Sequence, residues 1–147
     1  MSSTPVQTET DLATRLRLAV TRMARRLRQQ AGTELTPSLA AALATVEVRG
    51  PLTPSELAAI ESVKRPTATR LVAKLAAAGL VDRAGDPGDG RVSLVSITPA
   101  GSALLSRMRK RKNAYLARRL RELPPDDIAA LERAADVLER LLEDGRR

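Results

Sequence analysis

Between Thr53 and Gly101 the chain reads TPSELAAIESVKRPTATRLVAKLAAAGLVDRAGDPGDGRVSLVSITPAG. Two short helical patterns are parted by a brief break, and two strand patterns are parted by a tip rich in glycine. Few folds accept that order. Thr53 is placed to cap a helix, Pro54 fits its first position, where a missing N–H costs nothing, and Glu56 stands at N3 to close a capping box. Leu57, Ala58 and Ile60 give a short apolar face. Glu61-Ser62-Val63-Lys64 then breaks the periodicity and supplies a turn, with Val63 predicted as a buried plug between two steeply crossing helices. Pro66 restarts a helix.

On a helical wheel from Pro66, residues Ala68, Leu71, Val72 and Leu75 fall on one side, the only continuous apolar stripe available to a core. The opposite side carries Pro66, Thr69, Arg70, Ala73 and Ala77, flanked by Thr67 and Lys74. Hydroxyls and a guanidinium near the N-terminus, methyl groups further on and a lysine for phosphate suit a helix that enters a major groove. An ordinary solvated face would carry similar residues. Gly79 is predicted to end the helix in the left-handed conformation, and Leu80 and Val81 to begin a strand that runs to about Ala84. Gly85-Asp86-Pro87-Gly88-Asp89-Gly90 reads as a turn, because three glycines and a proline in six residues oppose regular structure. Val92, Leu94 and Ile97 form the returning strand, and Val95, out of alternation, implies that both faces are partly covered. The whole stretch reads as a winged helix-turn-helix, and the fold class as mainly α with a small β-wing.

Composition narrows what such a fold would do. Lysine and arginine number 25 against 17 aspartates and glutamates, a net charge of +8, so an anionic partner is the default and both nucleic acid and a membrane surface qualify. Aromatic residues make up 1% of the chain, with Tyr115 alone, so the core must be aliphatic and rich in alanine, which suits packed helices. Cysteine and histidine are both absent. That removes disulfides, thiol redox sensing, Cys/His zinc sites and the usual bases and nucleophiles of hydrolases. No phosphate-binding glycine loop is present either, so neither an enzyme nor a cofactor is expected. No stretch approaches the roughly 18 consecutive apolar residues of a membrane span, and the start lacks signal-peptide order, so a cytoplasmic location is expected.

At 147 residues the chain reads as one domain, 1–147, with a DNA-binding lobe over 36–98. Residues 1–7 are expected to be disordered or an arm on a partner, with Thr8 or Thr10 capping the first helix, 8–30. Leu12, Leu16, Val20, Met23 and Leu27 give that helix an apolar stripe too long for a small core, with arginines opposite. Thr36-Pro37 starts a second helix through about Val46, with Leu39, Leu43 and Val46 inward. Gly50 to Leu52 is predicted to add a short strand against the wing. Thr98 and Pro99 open a helix to about Leu123, with Leu104, Leu105, Met108, Tyr115, Leu116 and Leu120 apolar. Its Arg107 to Lys112 block either touches phosphates or is a solvated face of a scaffold helix. Pro124-Pro125 stops it, Asp126-Asp127 favour the start of the last helix, and Ile128, Leu131, Ala135, Leu138 and Leu142 form a coiled-coil-like seam. Such a seam packs on a second copy or closes a monomer core.

Asp89-Gly90-Arg91, Leu94, Thr98 and Gly101, with Leu57-Ala58, Thr67, Thr69-Arg70-Leu71-Val72, Leu75 and Gly79-Leu80-Val81, are what make the chain resemble the MarR family of bacterial transcriptional regulators. The likeness covers about the whole chain. It departs from the family at Lys64-Arg65-Pro66, where an oxygen-bearing cap is usual. The resemblance implies a homodimer joined by helices 8–30 and 99–145, a repressor that binds a pseudo-palindromic double-stranded DNA operator, and release by a small phenolic or aromatic anion, for which Tyr115 and nearby arginines are the candidates. DNA contacts then fall to Lys64, Arg65, Pro66, Thr67, Thr69, Arg70 and Lys74, with Arg91 entering the minor groove and Asp89 orienting it. Two other readings fit the same residues: a nonspecific architectural nucleic-acid binder, and a winged-helix module that binds an acidic protein partner.

Overall fold

A computed structural model describes residues 4–86 and 88–144, with the side chains of residues 86, 89–92 and 144 outside the description. Its elements are α1 (Pro5–Gln30), α2 (Pro37–Arg49), α3 (Pro54–Glu61), α4 (Arg65–Ala77), β1 (Val81–Asp86), β2 (Asp89–Ile97), α5 (Pro99–Leu120) and α6 (Pro125–Asp144). Helices dominate, and the two strands pair antiparallel as a single ribbon. This is a winged helix-turn-helix. Two compact units divide at Lys112, inside α5: Met1–Lys112 and Asn113–Arg147. Among the described residues, no helix is long and apolar enough to cross a membrane.

In the first unit α2 packs on α3, α4 and β2, and α4 also packs on β1. Their shared core is Leu43, Val46, Leu57, Val72 and Leu75, joined by Leu52, Val81 and Val95 and by Leu104, Leu105 and Met108 of α5. No buried polar side chain interrupts it among the described residues. With no ring available, cohesion comes from aliphatic area, about 1.5–3 kcal/mol for each fully buried valine or leucine. The predicted inward residues of α2 and α4 lie where expected, Leu39 and Leu71 being half-buried, and in α5 Leu104, Leu105 and Met108 are buried while Tyr115, Leu116 and Leu120 are half-buried. Ile60 does not: it is 46% exposed, because α3 is so short that Leu57 and Ala58 already take up its buried side.

Helix α1 begins at Pro5, not after Thr8 or Thr10. Thr4-Pro5 is the same cap-plus-proline signal that opens α2 and α3, and proline at N1 is already set to helical φ. Residues 4–7 are therefore ordered into the helix; residues 1–3 lie outside the described residues. None of α1 is buried, and of its stripe Leu16 and Leu27 are half-buried while Leu12, Val20 and Met23 are exposed.

In the second unit α5 closes at Leu120 and then tightens, Glu122 and Leu123 donating to carbonyls three residues back. The Pro124 carbonyl then receives the amides of Asp127 and Ile128 as α6 begins. On α6, Ile128 and Leu138 are half-buried, whereas Leu131, Leu141 and Leu142 stand exposed.

One junction fixes the first unit's geometry. Helix α4 ends in a Schellman turn: Leu80 N–H donates to Leu75 C=O at 2.9 Å, and Gly79, at φ 74°, donates to Ala76 C=O at 3.0 Å. The Thr98 hydroxyl donates to the Gly79 carbonyl at 2.7 Å and accepts the Gly101 amide at 3.1 Å, capping α5 in the same stroke. Gly101 is buried there, and a Cβ on it would run into the Leu80 carbonyl oxygen and lie 2.8 Å from Ile97 Cγ1. Gly101→Ala is expected to lower unfolding stability by about 1–3 kcal/mol through overpacking. A urea titration with an unshifted midpoint would show that the junction relaxes freely.

Candidate nucleic-acid interface

Helix α4 is sealed on one side and bare on the other. Ala68, Val72 and Leu75 are buried in the core, while Pro66, Thr69, Arg70, Ala73, Lys74 and Ala77 are all exposed, at helical spacing along one continuous face. Among the described residues, no ion pair holds Lys64, Arg65, Arg70 or Lys74, so their charge is directed at solvent. Thr67 is half-buried at the edge of the face, and the Thr69 hydroxyl donates to the Arg65 carbonyl at 3.0 Å, leaving its lone pairs outward. A 13-residue helix is roughly 20 Å long. Its diameter matches the width of a B-form major groove.

The start of α4 differs from the sequence reading by one residue. Arg65, not Pro66, is its first residue, and Lys64 is the N-cap. Its side chain makes no capping bond, whereas Thr36 accepts from Leu39 N–H in α2 and Thr53 from Glu56 N–H in α3. The missing oxygen leaves a first-turn amide of α4 without a side-chain cap. What sets its direction is the turn before it. Ser62 adopts the left-handed conformation at φ 54°, Val63 N–H donates to Ala58 C=O at 2.9 Å, and the half-buried Val63 packs on the core as the predicted plug. Behind the turn, the Thr45 hydroxyl of α2 donates to the Glu61 carboxylate, so α2 grips the last residue of α3.

The wing is a longer ribbon than expected. Val81 pairs with Ile97 and the register runs through Gly85 opposite Ser93 to Asp86 opposite Asp89, with an irregularity between Gly85 and Asp86. Four of the six residues assigned to a turn are therefore in strand. Glycine costs such a ribbon side-chain packing but not backbone hydrogen bonds, and the irregularity absorbs the mismatch in register. Pro87 lies outside the described residues. At the base, Leu52 and Val95 exchange both backbone hydrogen bonds, at 3.1 and 2.8 Å, which is the predicted third strand reduced to one bridge. Val95 is fully buried, with Leu94 half-buried on the other face. Asp89 and Arg91 belong to β2, and their side chains lie outside the described residues.

The Arg107 to Lys112 block is divided in its duties. Arg109 pairs with Glu47 of α2 at 2.8 Å; Arg111 pairs with Glu34 at 2.7 Å and donates to the Ala31 carbonyl at 2.8 Å. The hydrogen bond from Arg111 holds the Glu34 carboxyl below its ordinary range. These two arginines are scaffold ties. Sequence reading missed the ties because their partners lie more than sixty residues away along the chain, beyond any helical or strand period.

Comparison with known proteins agrees with this geometry. The model of the MarR family matches residues 35–93, from the loop before α2 into β2. An HTH-type transcriptional regulator of Mycobacterium tuberculosis is 39% identical over 90% of this chain and 94% of its own. The multiple antibiotic resistance protein MarR of Salmonella typhimurium is 31% identical over 67% of this chain and 69% of its own. Among solved structures, a candidate transcriptional regulator from Pseudomonas aeruginosa superposes with a TM-score of 0.84 at 31% identity, covering 94% of this chain and 98% of that one.

Lys64→Ser would restore the missing oxygen at the N-cap of α4. It is expected to stabilise the chain by about 1 kcal/mol, read as a raised thermal midpoint. The Thr67 amide already donates to the Lys64 carbonyl at 3.0 Å, and an unchanged midpoint would mean that this bond alone satisfies it.

Proposed function

The chain belongs to the MarR family of DNA-binding transcriptional regulators, and from that premise we propose that it is a homodimeric repressor of a pseudo-palindromic operator, released by a small-molecule effector. The observation that carries the reading is the bare, cationic face of α4, held rigidly by a core on its other side. Arg70 is assigned to a base edge or phosphate, Thr67, Thr69 and Pro66 to close approach in the groove, and Lys64, Arg65 and Lys74 to phosphates. Arg91 is assigned to the minor groove, with Asp89 orienting it. Two copies of α4 would enter successive major grooves about 10 base pairs apart.

A second copy is what the exposed apolar faces call for. On α1, Leu12 is 59% exposed, and on α6, Leu142 is 76% exposed. Repeated apolar side chains at helical spacing are costly to leave in water, and pairing between copies would cover them. The whole chain then acts as one functional domain. Effector control is placed in the cavity that α1, α2 and α5 enclose in the first unit. An occupant there would bias the spacing of the two reading heads, and operator affinity with it. The setting is the cytoplasm, where the chromosome is.

The decisive measurement is fluorescence anisotropy on the DNA beside the chain's own gene against scrambled DNA of equal length, over a salt series. A preference of roughly 10³-fold or more at physiological salt is expected. Equal, salt-sensitive binding to every fragment tested would overturn sequence-specific recognition. Arg70→Ala and Arg91→Ala should each cost on the order of 1–3 kcal/mol, while Lys74→Ala should weaken all sequences alike and reduce the salt slope by about 1. Light scattering should return twice the 15.8 kDa of one chain. A monomer mass under conditions of tight operator binding would overturn the homodimer.

A further inference from the structure

The cavity of the first unit has a chemistry of its own. Its volume is about 940 Å³, the scale of a small-molecule site. Its walls are aliphatic: Ala24 and Leu27 of α1, Ala40 and Ala44 of α2, Leu105 and Met108 of α5. No aromatic ring and no carboxylate belongs to the lining. Four cations do: Arg25 and Arg28 of α1, and Arg109 and Lys112 of α5. Arg109 is already held by Glu47. Lys112 is different, being half-buried with no hydrogen bond or ion pair among the described residues, and neither Arg25 nor Arg28 has an ion pair there.

Lys112 as a residue is half-buried and has no counter-charge among the described residues, so an anion delivered at that point meets an unopposed positive charge beside apolar walls. Beside it the lining offers apolar area and nothing for a ring to stack on. An aromatic effector would add no ring-to-ring contact here, whereas an alkyl chain gains with every methylene it removes from water. Alanines leave room, and the unbranched thioether of Met108 adapts to chain shape.

We propose that this cavity binds an aliphatic monocarboxylate of medium chain length, its headgroup on Lys112 with Arg25 or Arg28 and its tail among the alanines, Leu27, Leu105 and Met108. The headgroup thereby bridges α5 to α1, a helix with no buried residue of its own. For its regulatory consequence alone, the inference rests on the effector-released regulator proposed above. The ligand class differs from the phenolic one that the sequence resemblance implies.

Decanoate, used below its aggregation concentration, is the probe, titrated by calorimetry and by thermal shift against the full-length dimer or monomer as purified. Binding is expected to tighten about fourfold per added methylene from hexanoate to decanoate, and decanoate to bind at least tenfold tighter than salicylate. Lys112→Gln should weaken decanoate at least tenfold, while Lys110→Gln, an exposed neighbour outside the lining, should leave it unchanged. The thermal midpoints of the ligand-free variants, each within a degree or so of wild type, establish that they fold. No decanoate binding, no dependence on chain length, salicylate binding more tightly, or equal affinity in the two lysine variants would each overturn the proposal. Operator anisotropy on the same ligand-free samples separates the two readings: failure there counts against the regulator, and failure of the decanoate series counts against this site.

Discussion

Most of the first unit's geometry hangs on one hydroxyl. Thr98 donates to the carbonyl of Gly79, where α4 has just ended, and accepts the amide of Gly101, where α5 has just begun. Its own N–H donates to the Leu80 carbonyl at 3.0 Å. Three elements meet at that point: the end of α4, the base of the hairpin and the start of α5. A side chain with one donor and two lone pairs serves the orphan carbonyl of one helix and the orphan amide of the next. Glycine is required twice beside it for separate reasons. Gly79 supplies a positive φ, and Gly101 leaves space for the Leu80 carbonyl oxygen. The angle between the exposed face of α4 and the wing is therefore set by backbone groups and a hydroxyl, not by long side chains that could relax.

The second constraint is the missing aromatic ring. A core of leucine, valine, alanine and one methionine reaches crystal-like density only if helices approach closely, and the alanines at 42, 58 and 68 allow that approach. Each buried side chain then contributes modestly and none dominates, so stability is spread over the α2, α3 and α4 packing. The same composition shapes the cavity. Ala24, Ala40, Ala41 and Ala44 on its walls are too small to fill the space between α1, α2 and α5, so a region that larger residues would have closed stays open.

How much of this could be read from the chain follows from the range of each signal. Caps are local: threonine followed by proline marks Thr36, Thr53 and Thr98, and all three are helix starts with a side-chain capping bond. Thr4-Pro5 carries the same mark against a composition of small polar residues that suggests disorder; there proline at N1 outweighs composition, and the helix begins without a side-chain cap. Periodicity found the buried side of α4 and its outward face, since one helix repeats one pattern. It misplaced Ile60, because in an eight-residue helix two buried neighbours already exhaust the inward arc. Glycine counting shortened the wing, since propensity prices side chains while a ribbon is held by main-chain bonds. What no local rule reaches is the pairing of Arg109 with Glu47 and of Arg111 with Glu34, or the meeting of Lys112 with Arg25 and Arg28 at one cavity.

That last group changes how the net charge should be understood. Of the +8 excess, a conspicuous share lies in the Arg107 to Lys112 block, and a charge count alone would assign it all to an anionic partner outside. Helix geometry divides it instead. Residues 109 and 111 sit on turns of α5 that meet α2 and the loop before it, where carboxylates of those segments neutralise them. Exposed pairs of this kind add little stability, yet Arg109 ties α5 to α2 and Arg111 ties it to the loop before α2, and α2 packs on both helices of the helix-turn-helix. Lys112 occupies the same stretch but lines a cavity whose walls carry no carboxylate, and no ion pair holds it among the described residues. Charge that faces solvent on α4 and charge that lines a cavity on α5 are thus kept apart by the fold, with α2 packed on α4 and also lining that cavity.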